Sequence, residues 1–110
     1  MTKTVSEVVD LLVKFRNDRD WAQFHNPKDL AIALSIESNE LLETFLWKSP
    51  ETVDPEKVKD ELADVLAYAL LIMNHYQLDF GQIISEKIEK NAQKYPVEKS
   101  KGVATKYNEL

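Results

Sequence analysis

Residues 54–75, with the sequence DPEKVKDELADVLAYALLIMNH, decide the fold class. Apolar side chains recur there and just beyond at intervals of three or four residues, at Val58, Leu62, Val65, Leu66, Ala69, Ile72, Met73 and Tyr76. That period, sustained over about 20 residues, predicts a long amphipathic helix. Asp54 before Pro55 is a typical helix start, since Asp caps free N–H groups and proline fits the first helical position.

Three further helices are predicted around this one. Their expected bounds are about 4–20, 27–48 and 80–94. Asn26-Pro27 repeats the start signal, Asp79 is a candidate N-cap, and Pro96 ends the last helix. The sequence therefore predicts four helices with short connections.

These elements define the expected architecture. No segment shows the alternation of a strand bounded by hairpin signals. Short connections between long helices favour antiparallel neighbours. We therefore predict an all-α four-helix bundle over residues 1–96, followed by a polar C-terminal tail over residues 97–110.

Composition limits the class of protein. The chain has 110 residues, 44% of them apolar and 30% charged, which suits one soluble globular domain. With no cysteine, it has no disulfide, thiolate zinc site or cysteine nucleophile. It shows no signal-peptide hydrophobic region and no apolar run near the roughly 20 residues that span a bilayer. The expected location is the cytoplasm, with no membrane partner.

The net charge of −5 is unevenly distributed. Residues 1–80 have 8 Lys/Arg against 15 Asp/Glu, a balance of −7, whereas residues 81–110 have 6 against 4, a balance of +2. An acidic body argues against polymeric nucleic acid, which requires a basic face for its phosphates. A small polyanion that arrives with its own cation fits better.

Two acidic pairs are the clearest candidates for chemistry. Glu37/Glu40 and Glu61/Asp64 are each spaced i, i+3, which places both carboxylates of a pair on one helix face. Like charges so close favour protonation unless a cation lies between them. Glu37 also lies in the apolar stripe of its helix, where an unpartnered charge is costly. The simplest partner is a hard divalent cation, although solvated helix surfaces also produce such pairs by chance.

Tyr68 extends the second pair. It lies with Glu61 and Asp64 along one flank of the apolar stripe of the third helix. If the second and third helices pack antiparallel, this flank faces Glu37 and Glu40. Four carboxylates would then converge inside the bundle.

The ligand types indicate which metal would bind. Neither His25 nor His75 follows a glutamate by three residues, so the Glu-x-x-His motif of carboxylate-bridged iron bundles is missing. All-oxygen ligation favours Mg²⁺ or Mn²⁺. Such ions hold substrate phosphates and activate water. The sequence therefore predicts phosphoryl or nucleotidyl transfer, most simply hydrolysis.

Several segments, in order along most of the chain, carry a family resemblance. They are Arg19-Asp20-Trp21, Gln23-Phe24-His25, the stretch from Leu34 to Glu43, Phe45-Leu46-Trp47, the stretch from Glu61 to Tyr68, Lys90-Asn91 and Lys94-Tyr95-Pro96. The pattern E-x-x-E followed by E-x-x-D is weak by itself, but the flanking segments make it specific. The chain resembles the MazG-like all-α nucleotide pyrophosphohydrolases, most closely their short dCTP pyrophosphatase branch.

This resemblance implies an activity. Family members cleave a nucleoside triphosphate between its α and β phosphates with magnesium, and they release a monophosphate and pyrophosphate. The metal ligands it implies here are Glu37, Glu40, Glu61 and Asp64, one of which would orient or deprotonate the attacking water. The resemblance also implies a homodimer or a dimer of dimers, which completes the base pocket across an interface.

Substrate contacts are implied as well. Matched by position, they are Tyr68 and Asn91 for the phosphate and sugar, Trp21, His25 and Trp47 for the base, and Lys94 with the tail lysines for the leaving pyrophosphate. The chain departs from the pattern at Leu12, where dCTP-preferring relatives place a histidine near the base. The expected substrates are therefore (d)NTPs in general, with dCTP as one candidate among them.

Two other functions fit parts of the pattern. One is a non-catalytic helical regulatory or interaction module with a vestigial nucleotide pocket. The other is a hydrolase for the diphosphate of a non-nucleotide metabolite. The presence of all four carboxylates together with Tyr68 and Asn91 favours the pyrophosphohydrolase, because a vestigial site does not need the full set.

Overall fold

The computed structural model describes residues 2–110 and is helical throughout its regular structure. The helices are α1 (Val5–Asp18), α2 (Pro27–Glu43), α3 (Pro55–His75), α4 (Phe80–Lys94) and α5 (Val97–Ser100), with 3₁₀ turns at Ala22–Phe24 and Tyr107–Glu109. Residues 2–110 contain no strand. The predicted all-α class is confirmed, and the segment expected to be a tail contains a short helix and a 3₁₀ turn.

Side-chain caps explain where the long helices begin. In each of the four, an oxygen of the preceding residue accepts a hydrogen bond from a free N–H group of the first turn; these caps are Thr4, Asn26, Asp54 and Asp79. Thr4 also donates its backbone N–H to Glu7 at 3.2 Å, which completes a capping box. A cap of this kind stabilises a helix by about 1 kcal/mol.

The end of α2 differs from the prediction. We expected this helix to continue to about Lys48, but it ends at Glu43. The Thr44 hydroxyl donates to the Leu41 carbonyl at 2.6 Å, and the Thr44 N–H bonds to the same carbonyl at 3.2 Å. Such local bonds compete with the α-helical ladder. Trp47 then adopts a left-handed φ of +60°, and the run of turns after α2 ends there.

The chain divides into two compact units, residues up to Gln77 and residues from Leu78 onward. In the first unit, α2 packs along α3, and α1 also packs on α3. Among residues 2–110, only Leu30 and Leu71 are buried. This unit carries the two acidic pairs.

The second unit contains α4 and the segment after it. The Tyr95 and Tyr107 rings meet edge to face with centroids 6.0 Å apart, and the Lys94 ammonium lies 4.8 Å from the centroid of Tyr107. These contacts hold the C-terminal segment against the end of α4. The assembly of all four long helices into one bundle, and the domain boundary at residue 96, stay predictions.

None of the helices in residues 2–110 is long and apolar enough to cross a membrane.

Candidate metal centre

Three carboxylates from two helices converge in the first unit. Glu37 on α2 and Glu61 and Asp64 on α3 each offer an oxygen, and the three oxygens lie within 4.8 Å of one another. The packing of α2 along α3 brings the two sides together. Oxygens around a six-coordinate magnesium, at about 2.1 Å from the ion, lie about 3 to 4 Å apart. A small inward movement of these side chains would therefore suit such an ion.

Glu40 stands at the edge of this trio. It is exposed, and its carboxyl group is close enough to that of Glu37 for a hydrogen bond when one of the two is protonated. That bond is the largest of the causes that raise the pKa of Glu37 to about 7; burial and the negative charges of Glu40, Asp64 and Glu61 add to it. All four predicted carboxylates thus interact in one place.

Two oxygens of the cluster have no hydrogen-bond partner. Glu37 Oε2 and Glu61 Oε2 are buried and unpaired within residues 2–110. Burial is the main cause of the raised pKa of Glu61, followed by the charge of Glu40. Buried carboxylates without donors are costly. A hard divalent cation would supply the missing positive charge, and the all-oxygen donor set fits magnesium or manganese.

Tyr68 lies one helical turn beyond Asp64. Tyr68 is half-buried, and its pKa is raised by burial first and then by the charges of Glu37, Asp64 and Glu40. The phenol therefore stays protonated at neutral pH and remains a hydrogen-bond donor. Its ring meets the His25 ring edge to face, with centroids 6.4 Å apart.

A cavity of about 380 Å³ opens between α1 and α3 beside the carboxylates. This α1–α3 cavity is lined by Leu12, Phe15, Arg16, Trp21, His25, Asp64, Ala67, Tyr68 and Leu71. It brings three of the predicted substrate contacts, Trp21, His25 and Tyr68, together with one predicted metal ligand. The cavity is therefore open to a substrate that also reaches the carboxylates.

One wall of the cavity contains two aromatic rings, and a cation outside the lining packs on one of them. The Phe15 and Trp21 rings meet edge to face at 5.7 Å, and the Arg19 guanidinium lies 3.7 Å from the centroid of Phe15. Arg19 also donates to the Phe15 carbonyl at 3.0 Å. Asp20, with a φ of +55°, makes the turn that returns Trp21 to this wall. The wall offers fixed aromatic surface to a flat ring.

A second cavity, of about 540 Å³, lies at the connection between α2 and α3. This α2–α3 loop cavity is lined by Glu40, Glu43, Thr44, Leu46, Lys48, Thr52, Asp54, Lys57 and Glu61. Neither Lys48 nor Lys57 takes part in the ion pairs found within residues 2–110. Because Glu40 and Glu61 line this cavity and Asp64 lines the other, the carboxylates lie between the two.

Comparison with known proteins identifies the family. A sequence model described as the MazG-like family matches residues 32–110. The chain is 37% identical to dCTP pyrophosphatase 1 of Mus musculus and 32% identical to that of Homo sapiens, over 97% of this chain and 68% of each relative. The chain belongs to the MazG-like family.

A solved structure agrees with this result. The crystal structure of a pyrophosphatase from Archaeoglobus fulgidus DSM 4304 superposes on the MazG-like chain with a TM-score of 0.79 and 36% identity. The match covers 87% of this chain and 95% of that one. The predicted family is confirmed, and with it the predicted class of enzyme, a nucleotide pyrophosphohydrolase.

Three predicted substrate contacts of this MazG-like chain lie outside the α1–α3 cavity lining. Trp47 is 94% exposed and lines a different cavity with Leu42, Phe45 and Leu46. Asn91 and Lys94 belong to α4, in the second unit. The structure therefore gathers the four carboxylates, Trp21, His25 and Tyr68, and it does not bring Trp47 to them within the chain.

Sequence reasoning missed Arg16. This residue lines the α1–α3 cavity from α1, and its positive charge is the second cause, after burial, of the lowered pKa of His25. The signal that would have found it is spacing: Leu12, Phe15 and Arg16 are related by i, i+3 and i+4, so they share one helix face. Without the packing of α1 on α3, however, that face cannot be distinguished from a solvated one.

Proposed function

We propose that the chain hydrolyses nucleoside triphosphates between the α and β phosphates, releasing a nucleoside monophosphate and pyrophosphate. One observation carries the proposal. Oxygens of Glu37, Glu61 and Asp64 converge within 4.8 Å at the mouth of a cavity with an aromatic wall. The buried, unpaired oxygens of Glu37 and Glu61 support a cation there.

The proposed cofactor is Mg²⁺, with Mn²⁺ as the substitute, held by Glu37, Glu40, Glu61 and Asp64. When bound, such a cation neutralises phosphate oxygens and lowers the pKa of water. One of the four carboxylates would orient or deprotonate the attacking water. Tyr68, protonated at neutral pH, would donate a hydrogen bond to the phosphate or the sugar.

The positions of the two cavities support one direction of substrate binding. The α1–α3 cavity has the aromatic wall of Phe15 and Trp21 and would take the nucleoside. The α2–α3 loop cavity has two unpaired cations, Lys48 and Lys57, and would take the leaving pyrophosphate. The scissile bond would then lie over the carboxylates. Asn91 and Lys94 are proposed as further contacts with the sugar and the phosphates.

Assembly as a homodimer or a dimer of dimers is part of the proposal. Large apolar side chains of α2 and α3 are about half exposed, among them Ile32 at 48%, Ile36 at 53% and Leu66 at 51%. A second copy of the chain would cover such surface. Trp47, exposed at 94%, would then contact the base bound in the neighbouring subunit. The cytoplasmic location stays a prediction from the sequence.

A screen of substrates tests the proposal. The full chain is incubated with Mg²⁺ and each common dNTP and NTP, and pyrophosphate and monophosphate are both measured. Equal amounts of the two products are expected. Two matched variants are compared. Asp64→Asn should abolish pyrophosphate release. Asp60→Asn removes the same charge from an exposed position of the same helix and should still release pyrophosphate. Release of orthophosphate instead, or full activity of a folded Asp64→Asn variant, would refute the proposal.

The same screen separates the two rival functions. Turnover of a non-nucleotide diphosphate with no turnover of any nucleotide would indicate a metabolite hydrolase. No turnover and no binding of Mn²⁺ would indicate a non-catalytic module.

A further inference from the structure

Resting on the proposed function, we infer that Arg16 recognises the carbonyl edge of the substrate base, so that the site prefers nucleotides of cytosine, guanine, uracil or thymine over those of adenine. Arg16 is half-buried and lines the α1–α3 cavity together with Trp21 and His25. The base would enter this cavity against the aromatic wall.

The guanidinium of Arg16 has free donors. Its Nε donates to Asn17 Oδ1 at 3.2 Å, and no carboxylate pairs with it within residues 2–110. Arginine carries five N–H donors in a planar fork and no acceptor. The four N–H groups at its tip can therefore be satisfied only by acceptors, from water or from a ligand.

The other polar groups of the cavity complement this fork. His25 Nδ1 is buried and has no hydrogen-bond partner within residues 2–110. Burial and the nearby charge of Arg16 lower the pKa of His25, so its ring is neutral and offers one donor and one acceptor. Leu12, one turn before Arg16, offers neither. A ligand that satisfies the cavity must present acceptors to Arg16 and a polar group to His25.

Bases differ in what they offer such a fork. Guanine has the adjacent acceptors O6 and N7, and cytosine has O2 beside N3, so each can take two bonds from one guanidinium. Uracil and thymine each have two carbonyl oxygens, O2 and O4, but the N3–H donor between them means that each oxygen accepts a bond separately. Adenine has no carbonyl, and its N7 acceptor is adjacent to an amino donor that repels the second N–H group. The fork therefore discriminates against adenine by about tenfold or more.

Kinetics with four substrates test the inference. We measure kcat/KM for pyrophosphate release from dCTP, dGTP, dTTP and dATP with the wild-type chain, Arg16→Ala and Arg16→Lys. The wild type should use dCTP and dGTP, which take two bonds from the fork, about tenfold better than dATP, with dTTP between them. Arg16→Ala should lose about tenfold on dCTP and dGTP and change little on dATP. Arg16→Lys keeps the charge but not the fork, so it should lose selectivity as well.

Lys14→Ala is the matched control. Lys14 lies on the same helix and is paired with Asp18 at 2.7 Å on the exposed surface, so its loss should leave all four rates unchanged. A wild-type rate on dATP equal to the others would overturn the inference. An equal loss on all four substrates in Arg16→Ala would also overturn it, because Arg16 would then be a phosphate ligand.

A binding measurement separates failure of the inference from failure of the proposed function. Calorimetric titration with dCMP and dAMP, without metal, reports on the base contact alone. Selective binding of dCMP that Arg16→Ala abolishes, with no pyrophosphate release from any nucleotide, would refute the proposed reaction and support the inference. Release of pyrophosphate together with equal affinity for dCMP and dAMP would support the proposed reaction and refute the inference about Arg16.

Discussion

His25 and Tyr68 meet edge to face, with ring centroids 6.4 Å apart and ring planes at 67°. His25 follows the 3₁₀ turn between α1 and α2, whereas Tyr68 lies on α3 one turn beyond Asp64. This contact joins the aromatic end of the α1–α3 cavity to its carboxylate end. A ligand that contacts His25 can therefore also extend to the carboxylates along the same cavity.

Tyr68→Phe tests the hydroxyl without removing this ring contact. We expect kcat/KM to fall by about tenfold, because one hydrogen bond to a charged phosphate group contributes about 1.5 kcal/mol or more. The melting temperature should change little. Tyr68→Ala, which also removes the ring from His25, should lower both activity and stability. If Tyr68→Phe has full activity, the hydroxyl does not contact the substrate.

Metal binding should stabilise the fold. A ligand at a concentration about 100 times its Kd stabilises the native state by about 2.7 kcal/mol. We expect Mn²⁺ to raise the melting temperature of the wild type and of Asp60→Asn, and to leave that of Asp64→Asn unchanged. Differential scanning fluorimetry with a titration of Mn²⁺ provides the measurement. An equal rise in Asp64→Asn would place the ion elsewhere.

Without metal, the stability of the fold should depend on Glu37. Its pKa is about 7 in the folded chain, above its ordinary value of 4.5, so the folded state binds more protons than the unfolded state between these values. The free energy of unfolding therefore falls as the pH rises from about 4.5 through 7. In EDTA, we expect a lower melting temperature at pH 8 than at pH 5.

Glu37→Gln is the control for this pH dependence. Glutamine does not titrate, so the melting temperature should fall less between pH 5 and pH 8 in this variant. A smaller fall should persist, because the pKa of Glu61 is also raised. His25, whose pKa is lowered, has the opposite effect below about 6.5, but both chains carry it. Identical pH profiles of the two chains would contradict the assigned role of Glu37.

The α2–α3 loop cavity gives a separate prediction. Lys57→Ala should weaken product inhibition by pyrophosphate and raise KM, because the cavity loses one of its two unpaired cations. Lys59→Ala is the matched control on the same helix, since Lys59 is paired with Glu56 at 3.0 Å on the surface. The comparison uses steady-state kinetics with added pyrophosphate. Equal inhibition constants in the two variants would show that pyrophosphate leaves by another route.

Local signals made the all-α class and the starts of the helices predictable. The caps at Asn26, Asp54 and Asp79 depend on residues within one turn, and each appears where the sequence predicted it. The convergence of the carboxylates was expected from their i, i+3 spacing on two helices. These features need only helix geometry and one assumption about which helices are neighbours.

Features set by competing bonds or by packing were harder to predict. The end of α2 depends on whether Thr44 bonds to the Leu41 carbonyl or continues the helix, and the sequence pattern does not distinguish these two outcomes. The spacing of Arg16 on its helix is also that of an ordinary surface charge, and only the packing of α1 on α3 shows that it lines a cavity. Trp47 has the composition of a pocket residue, but its left-handed φ of +60° leaves it exposed within its own chain.

Trp47 is proposed to contact the base bound in a neighbouring subunit, so two chains with complementary defects should restore activity when they pair. An Asp64→Asn chain lacks the metal site but has Trp47, and a Trp47→Ala chain has the metal site but lacks the tryptophan. Each should be poorly active by itself. In a mixed dimer, one site combines intact carboxylates with an intact Trp47. Random pairing makes half of the dimers mixed, and each mixed dimer has one intact site of its two. The co-expressed mixture should therefore have about a quarter of wild-type activity, and the isolated mixed dimer about half.

The two chains are separately tagged, and the mixed species is isolated by sequential affinity steps. A mixture of the two purified homo-oligomers, assayed before exchange, is the control and should show no gain. A mixed dimer no more active than the average of its parents would contradict a shared pocket. Full activity of Trp47→Ala alone would do so more directly, because the exposed tryptophan would then have no part in binding the base.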